Sequence, residues 1–263
     1  SSLLYMTLQF LPHSMNLLRQ SIAASIIFAG WGFLKKGKFI PYALVVLLAG
    51  CFHISAIIML PAYFLMRMPF KLPIIATYGV GTVVAYVAFD PLLKLVTTYI
   101  FPQYALYVDA SIYSSGNGFS YSIVPGMCLI AALIAAKPLI AKDKNNSVMI
   151  YSVLLAFVFY LFMSKMYIVE RLSIYFFMVA MLLLPEIVSL LTPEPLPAKP
   201  SPAAKIAYKD KKQNQQIFTG AIILITIFYM LFCVKTGAHK AYPYVSIFNQ
   251  QDAVSNDDYF QNH

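Results

Sequence analysis

FIPYALVVLLAGCFHISAIIMLPAYFLM, residues 39–66, runs for 28 positions without a Lys, Arg, Asp or Glu. A membrane helix rises 1.5 Å per residue and needs ~20 apolar residues. The run is therefore longer than one crossing and too short for two full ones with a turn. Two shapes fit, a hairpin of two short helices or one long broken helix. Non-helical backbone at membrane depth is tolerated only where protein buries it or it lines a wet cavity. The flanking charges bear on the choice. Lys35, Lys36 and Lys38 precede the run, and Arg67 and Lys71 follow it. Cytoplasmic loops collect Lys and Arg. A single crossing strands one cluster on the far side, whereas a segment that enters and returns keeps both inside. The charges favour the hairpin, with His53 near its tip.

The rest of the chain has the same character. Of 263 residues, 60% are hydrophobic and 11% charged, with a mean hydropathy of +0.72. Soluble domains run about 45–50% apolar and ~25% charged, so a water-soluble enzyme is excluded. Further apolar stretches cover 15–34, 73–89, 121–136, 147–164, 172–191 and 217–234. The expected fold is all-α, one polytopic membrane bundle over 1–263 with about seven to eight segments. Between the segments lie a Tyr-rich outer loop at 90–120, a Pro- and Lys-rich cytoplasmic linker at 192–216, and an outer tail at 235–263. Cys51, Cys128 and Cys233 sit inside apolar runs without ligand spacing and read as core fillers. Residue 1 is Ser, and no signal sequence precedes the first apolar run, so the chain reads as the body of a longer polypeptide.

Placing the linker lysines (Lys199, Lys205, Lys209, Lys211 and Lys212) in the cytoplasm fixes the other loops by alternation. With the hairpin, cytoplasmic segments carry thirteen basic and four acidic residues, and the outer side carries six of each. The whole net charge of +9 is then an orientation signal, and no nucleic-acid partner is implied.

A few polar residues stand where apolar ones are expected. Arg19 lies in the first turns of a span, where charge is costly and faces a cavity or a partner, unless it snorkels to the interface. Asn16, Arg19 and Gln20 share one helical face by i,i+3 and i,i+4 spacing, which reads as a binding wall. His53 has a hydrogen-bonded core reading and a functional one, as general base or phosphate donor, with the Ser55 hydroxyl nearby. Glu170 and Arg171 open the 172–191 span on the outer side. The chain has three arginines, Arg19, Arg67 and Arg171, and the topology puts two at the outer edge. A guanidinium fork binds phosphate bidentately where an ammonium acts as a point charge. Arg19 and Arg171 thus read as a phosphate or diphosphate clamp. Tyr242-Pro243-Tyr244 is an interfacial anchor or a lid over an outer site. Gly32 to Lys38 imitates a P-loop, but Phe39 stands where Ser or Thr would meet magnesium. No metal-ligand cluster is present, and neither a metal nor a cofactor is expected.

The block from Asn16 through Leu65 resembles a known family. Asn16-Leu17-Leu18-Arg19-Gln20-Ser21 is followed by Lys38-Phe39 and then by Gly50-Cys51-Phe52-His53-Ile54-Ser55-Ala56, with Leu60-Pro61 and Tyr63 closing it. This is similar to the EpsG family of bacterial membrane proteins, which groups with Wzy-type polysaccharide polymerases. Arg171 before Ser173 and Tyr175, and the late Tyr242-Pro243-Tyr244, also fit it. The resemblance implies a GT-C-like membrane glycosyltransferase in the bacterial inner membrane. It would join oligosaccharide repeat units carried on undecaprenyl diphosphate at the outer face. The product would be O-antigen, capsule or exopolysaccharide, with a chain-length regulator and a flippase as candidate protein partners. Such proteins usually carry further N-terminal spans.

In that chemistry Arg19 and Arg171 would stabilise the departing diphosphate. His53 is the first choice of base for the acceptor hydroxyl, and Glu170 or Asp109 the second. Asn16, Gln20, Ser55, Asp109, Tyr113, Tyr242 and Tyr244 would hold substrate, with the tyrosines of 90–120 offering a sugar-stacking surface. The competing reading is a transporter or flippase subunit in which the same arginines line a path for a lipid-linked sugar or another anion.

Overall fold

His53 has φ −151° and ψ 115°, an extended conformation in the middle of the apolar run, and the preceding helix stops there. A computed structural model describes residues 2–99, 118–166, 169–198 and 201–236. Its helices are α1 (Ser2–Thr7), α2 (Phe10–Asn16), α3 (Leu18–Ala29), α4 (Trp31–Lys35), α5 (Phe39–Phe52), α6 (Met59–Met66) and α7 (Leu72–Val87). They continue as α8 (Phe89–Tyr99), α9 (Gly118–Ile134), α10 (Ala136–Lys142), α11 (Ser147–Phe162), α12 (Glu170–Phe177), α13 (Ala180–Leu190) and α14 (Pro202–Lys235). Short 3-10 turns occupy Ile54–Ile58 and Lys144–Asn146. No strand occurs among the described residues, and the protein is an all-α polytopic membrane bundle.

The run at 39–66 folds back on itself as a helical hairpin. A continuous helix of that length would hold its ends ~40 Å apart. Instead Phe39 packs on Tyr63 and Phe64, with ring centroids 5.0 and 5.2 Å apart, and Tyr42 lies 5.6 Å from Tyr63. Beyond the rings, Arg67 Nη1 donates to the carbonyls of Leu34 and Lys35 at 3.0 and 2.8 Å. Gly37, at φ +74°, permits this closure, because a Cβ there would sit 2.9 Å from the Arg67 guanidinium. Pro61 falls in the first turn of α6, where a missing N–H costs nothing. The cations on both flanks of the hairpin therefore lie at one end of the bundle.

The other segments alternate between that end and the opposite one. At the basic end Lys35 pairs with Asp143 at 3.1 Å and Lys142 with Glu186 at 2.8 Å. At the opposite end Lys165 approaches Asp90 at 4.0 Å, and Tyr86 meets Ser164 at 3.0 Å. The core is centred on α11, with Tyr42, Tyr151, Phe176 and Phe177 fully buried around it. Two helices are long and apolar enough to cross unbroken, Lys144–Phe162 and Pro202–Lys235, and three bent pairs bring the total to five by length and composition. One bent pair is α9 and α10, at 63°. Pro138 explains that bend, since it cannot donate to the carbonyl of Ile134 and its ring crowds that oxygen.

Three boundaries differ from the sequence reading. The first span does not start at residue 15: Leu17, at φ −121° and ψ 58°, separates α2 from α3. The stretch 192–216 lacks regular structure only over 192–198 among the described residues, because Ser201 caps α14, accepting from the Ala204 N–H at 3.2 Å, with Pro202 next. The polar half of α14 thus continues as helix beyond the bundle. Helix also occupies both ends of the loop read at 90–120, through Tyr99 and from Gly118, and the tail beyond Thr236 lies outside the described residues.

Candidate functional site

The site is assembled from three breaks in helical backbone at the end opposite the Lys35–Asp143 and Lys142–Glu186 pairs. The break at Leu17 starts α3 with Arg19 and Gln20 in its first turn. The break at His53 forms the hairpin tip. A third start, at Glu170, begins α12 and puts Arg171 in its first turn. Helix starts are where side chains escape the regular packing of a bundle, and each start here delivers a charged or titratable residue.

Two polar links hold the three together. Gln20 Nε2 donates to the backbone carbonyl of Arg171, tying α3 to α12. Ser55 Oγ lies 2.7 Å from His53 Nδ1 and 2.9 Å from the Tyr175 hydroxyl, tying the hairpin tip to the same helix. Around this frame Arg19 is exposed and Arg171 and His53 are half-buried. The charges whose fields reach the His53 ring are the guanidinium groups of Arg19 and Arg171. Among the described residues neither arginine has a carboxylate partner. Two like charges at the edge of a low-dielectric bundle repel each other, and the arrangement is relieved by an anion.

Several expected site residues fall elsewhere. Asn16, Arg19 and Gln20 do not share a face, because Leu17 interrupts the helix between them: Asn16 is exposed at the end of α2, and Gln20 is 2% exposed, pointing into the core. Gln20 is thus a strut under Arg171. Glu170 is 5% exposed and turns away from its neighbour Arg171. Successive residues on a helix diverge by about 100°. Its charge acts on Tyr160, Tyr229, Tyr121 and Cys233, and it lines a small internal gap with Gln9, His13 and Ser173. The structure does not bring it to His53. Asp109, Tyr113, Tyr242 and Tyr244 lie outside the described residues.

Two features had no role in the sequence reading, although Tyr175 was named there as part of the family pattern. Tyr175 stands one helical turn after Arg171, and that i,i+4 spacing was the available signal. A shallow groove of about 420 Å³ runs along α3 from Leu18 to Ala29, lined mainly by Tyr5, Ser21, Ile22, Ser25 and Ile26. It is apolar and opens to the bundle surface. Among the described residues no group of three or more His, Cys, Asp or Glu could hold a metal ion.

Residues 1–194 match the sequence model described as the EpsG family, a span that includes Arg19, His53 and Arg171 and stops before α14. No curated protein and no solved structure matches the chain.

Proposed function

This chain belongs to the EpsG family, which suggests a membrane polysaccharide polymerase, and we propose that it joins lipid-diphosphate-linked oligosaccharide repeat units. The donor is a glycan on undecaprenyl diphosphate, and the product is an O-antigen, capsule or exopolysaccharide chain. The observation that carries this reading is the meeting, at the end of the bundle opposite Lys35 and Arg67, of an imidazole and two guanidinium groups that have no carboxylate partner among the described residues. Lys and Arg concentrate in the cytoplasm, so that end faces outward from the bacterial inner membrane.

In the transfer, an acceptor sugar hydroxyl forms a bond to the anomeric carbon of the donor. The bond from that carbon to the diphosphate breaks, and the electron pair leaves with the diphosphate. As its charge rises, the diphosphate takes up the hydroxyl proton. Arg19 and Arg171 are built for the part of this change that costs most, the growing negative charge on the leaving group. Fixed guanidinium forks meet it without reorganisation. The apolar groove along α3 gives the polyprenyl chain a hydrocarbon surface beside the clamp.

Purified protein in lipid nanodiscs, given undecaprenyl-diphosphate repeat units, is expected to yield a ladder of longer glycans. Absence of a ladder together with movement of the lipid between leaflets of proteoliposomes would overturn the polymerase reading in favour of transport.

A further inference from the structure

His53 heads the 3-10 turn Ile54–Ile58, and its Nδ1 accepts from the backbone N–H of Ser55 at 3.4 Å. A backbone N–H can only donate, so Nδ1 holds a lone pair. Ser55 Oγ, 2.7 Å from the same nitrogen, must then give its single proton to Nδ1. With that proton committed, Ser55 Oγ is left as acceptor toward the Tyr175 hydroxyl at 2.9 Å. The direction of the chain is fixed throughout: Tyr175 donates to Ser55, and Ser55 donates to His53.

A neutral imidazole whose Nδ1 bears the lone pair carries its proton on Nε2. Protonating Nδ1 would set it against the Ser55 N–H and reverse the Ser55–Tyr175 bond, so the imidazolium is opposed by the same contacts. Nε2 takes no hydrogen bond among the described residues, and the charges acting on the ring are Arg19 and Arg171. Three groups thus converge that all donate and none of which accepts. A general base needs a free lone pair, and this ring has spent its own on Ser55.

We infer that His53 acts as a neutral Nε2–H donor to an anionic diphosphate oxygen, alongside Arg19 and Arg171, and that Ser55 and Tyr175 are positioning residues that lock its tautomer. The assignment rests on the polymerase reading for the identity of the anion, but the tautomer does not.

Long-range 1H–15N correlation spectra of the full chain, labelled in its histidine rings and held in nanodiscs, read the tautomer directly. The His53 signals are identified by their loss in His53→Gln. The expected result near neutral pH is a ring protonated on Nε2 alone, with mixed tautomers appearing in Ser55→Ala and Tyr175→Phe. A proton on Nδ1, or an imidazolium, overturns the inference whatever the activity. Polymerisation provides the second arm. A glutamine amide can replace an Nε2–H donor but not a base, so His53→Gln should stay within about tenfold of the parent, the weight of one hydrogen bond. His53→Ala should fall by about 10²-fold. Equal losses in both variants overturn the donor role and leave the polymerase reading standing. If the parent forms no ladder, the polymerase reading fails and the spectra alone decide the tautomer.

Discussion

Arg19 and Arg171 bring two positive charges to one corner of the bundle, and the rest of the corner is arranged to keep them there. Removing either guanidinium deletes a donor aimed at the departing diphosphate, so Arg19→Ala and Arg171→Ala should each cut glycan-ladder formation by about 10²–10³-fold. Membrane insertion should be unchanged. Arg19→Lys and Arg171→Lys keep the charge and lose the fork, and full activity in both would sink the bidentate argument. Gln20 is bonded to the backbone of Arg171. Gln20→Ala removes the second donor to the Arg171 carbonyl, which still accepts within α12, a loss of about 0.5–1.5 kcal/mol, visible as a lower thermal midpoint in nanodiscs. Its Oε1 has no hydrogen-bond partner among the described residues, so only the single Nε2 bond is forfeited. The sequence identified Arg19, His53 and Arg171 because charge and imidazole are conspicuous against an apolar background. The burial of Gln20 was not legible because nothing in Asn16-Leu17-Leu18 announces a helix break. With no proline or glycine there, the interruption is set by how α2 and α3 pack.

Two elements make the hairpin possible, a tight approach of α3 and α5 and a closure at its basic end. At Gly30 a Cβ would stand 2.7 Å from Val45 Cγ1 and 3.2 Å from its other branch. Valine is stiff at χ1 and cannot swing aside. Gly30→Ala should therefore destabilise by about 1–3 kcal/mol, and adding Val45→Ala should restore much of the loss in a double-mutant cycle on thermal unfolding. Simple additivity of the two changes would show that the helices do not meet there. Asp143 joins the hairpin to the 3-10 turn before α11. The Asn145 backbone N–H and the Lys35 ammonium hold its carboxyl below the usual carboxylate range. A depressed folded-state value means the tie contributes fully above the unfolded carboxylate range and is lost as pH falls through the folded value. Its contribution is about 0.2–1 kcal/mol, since both partners are partly solvated. Thermal midpoints of the parent and Asp143→Asn should differ at neutral pH and converge on acidification below about pH 4. A constant difference would assign the effect to the backbone turn. The helical start at Ser201-Pro202 was legible as a cap followed by a first-turn proline, but the surrounding prolines concealed it.

Across the whole molecule the hairpin makes a statement about sides. On a background without Cys51, Cys128 and Cys233, single cysteines at Lys36 and Lys71 should be labelled by a membrane-impermeant maleimide from the same compartment. A cysteine at Arg19 should be labelled from the other. Labelling of positions 36 and 71 from opposite sides would mean that the run at 39–66 crosses once. Composition determined the class of the protein, and charge spacing favoured the return of the hairpin, whereas the structure has two unbroken candidate spans and three bent pairs where about seven to eight segments were expected. The class and the return follow from transfer free energy and the placement of lysine, and both are properties of the chain read locally. The tertiary structure alone decided which polar residues meet. Arg19, His53 and Arg171 are separated by long stretches of sequence and come together because three helix starts lie at one end of the bundle. Glu170, adjacent to Arg171 in the chain, is carried by the helical turn into the core. The direction of the Tyr175–Ser55–His53 chain was likewise invisible in the sequence. It depends on a backbone N–H at the hairpin tip, and the fold alone puts that donor against the imidazole.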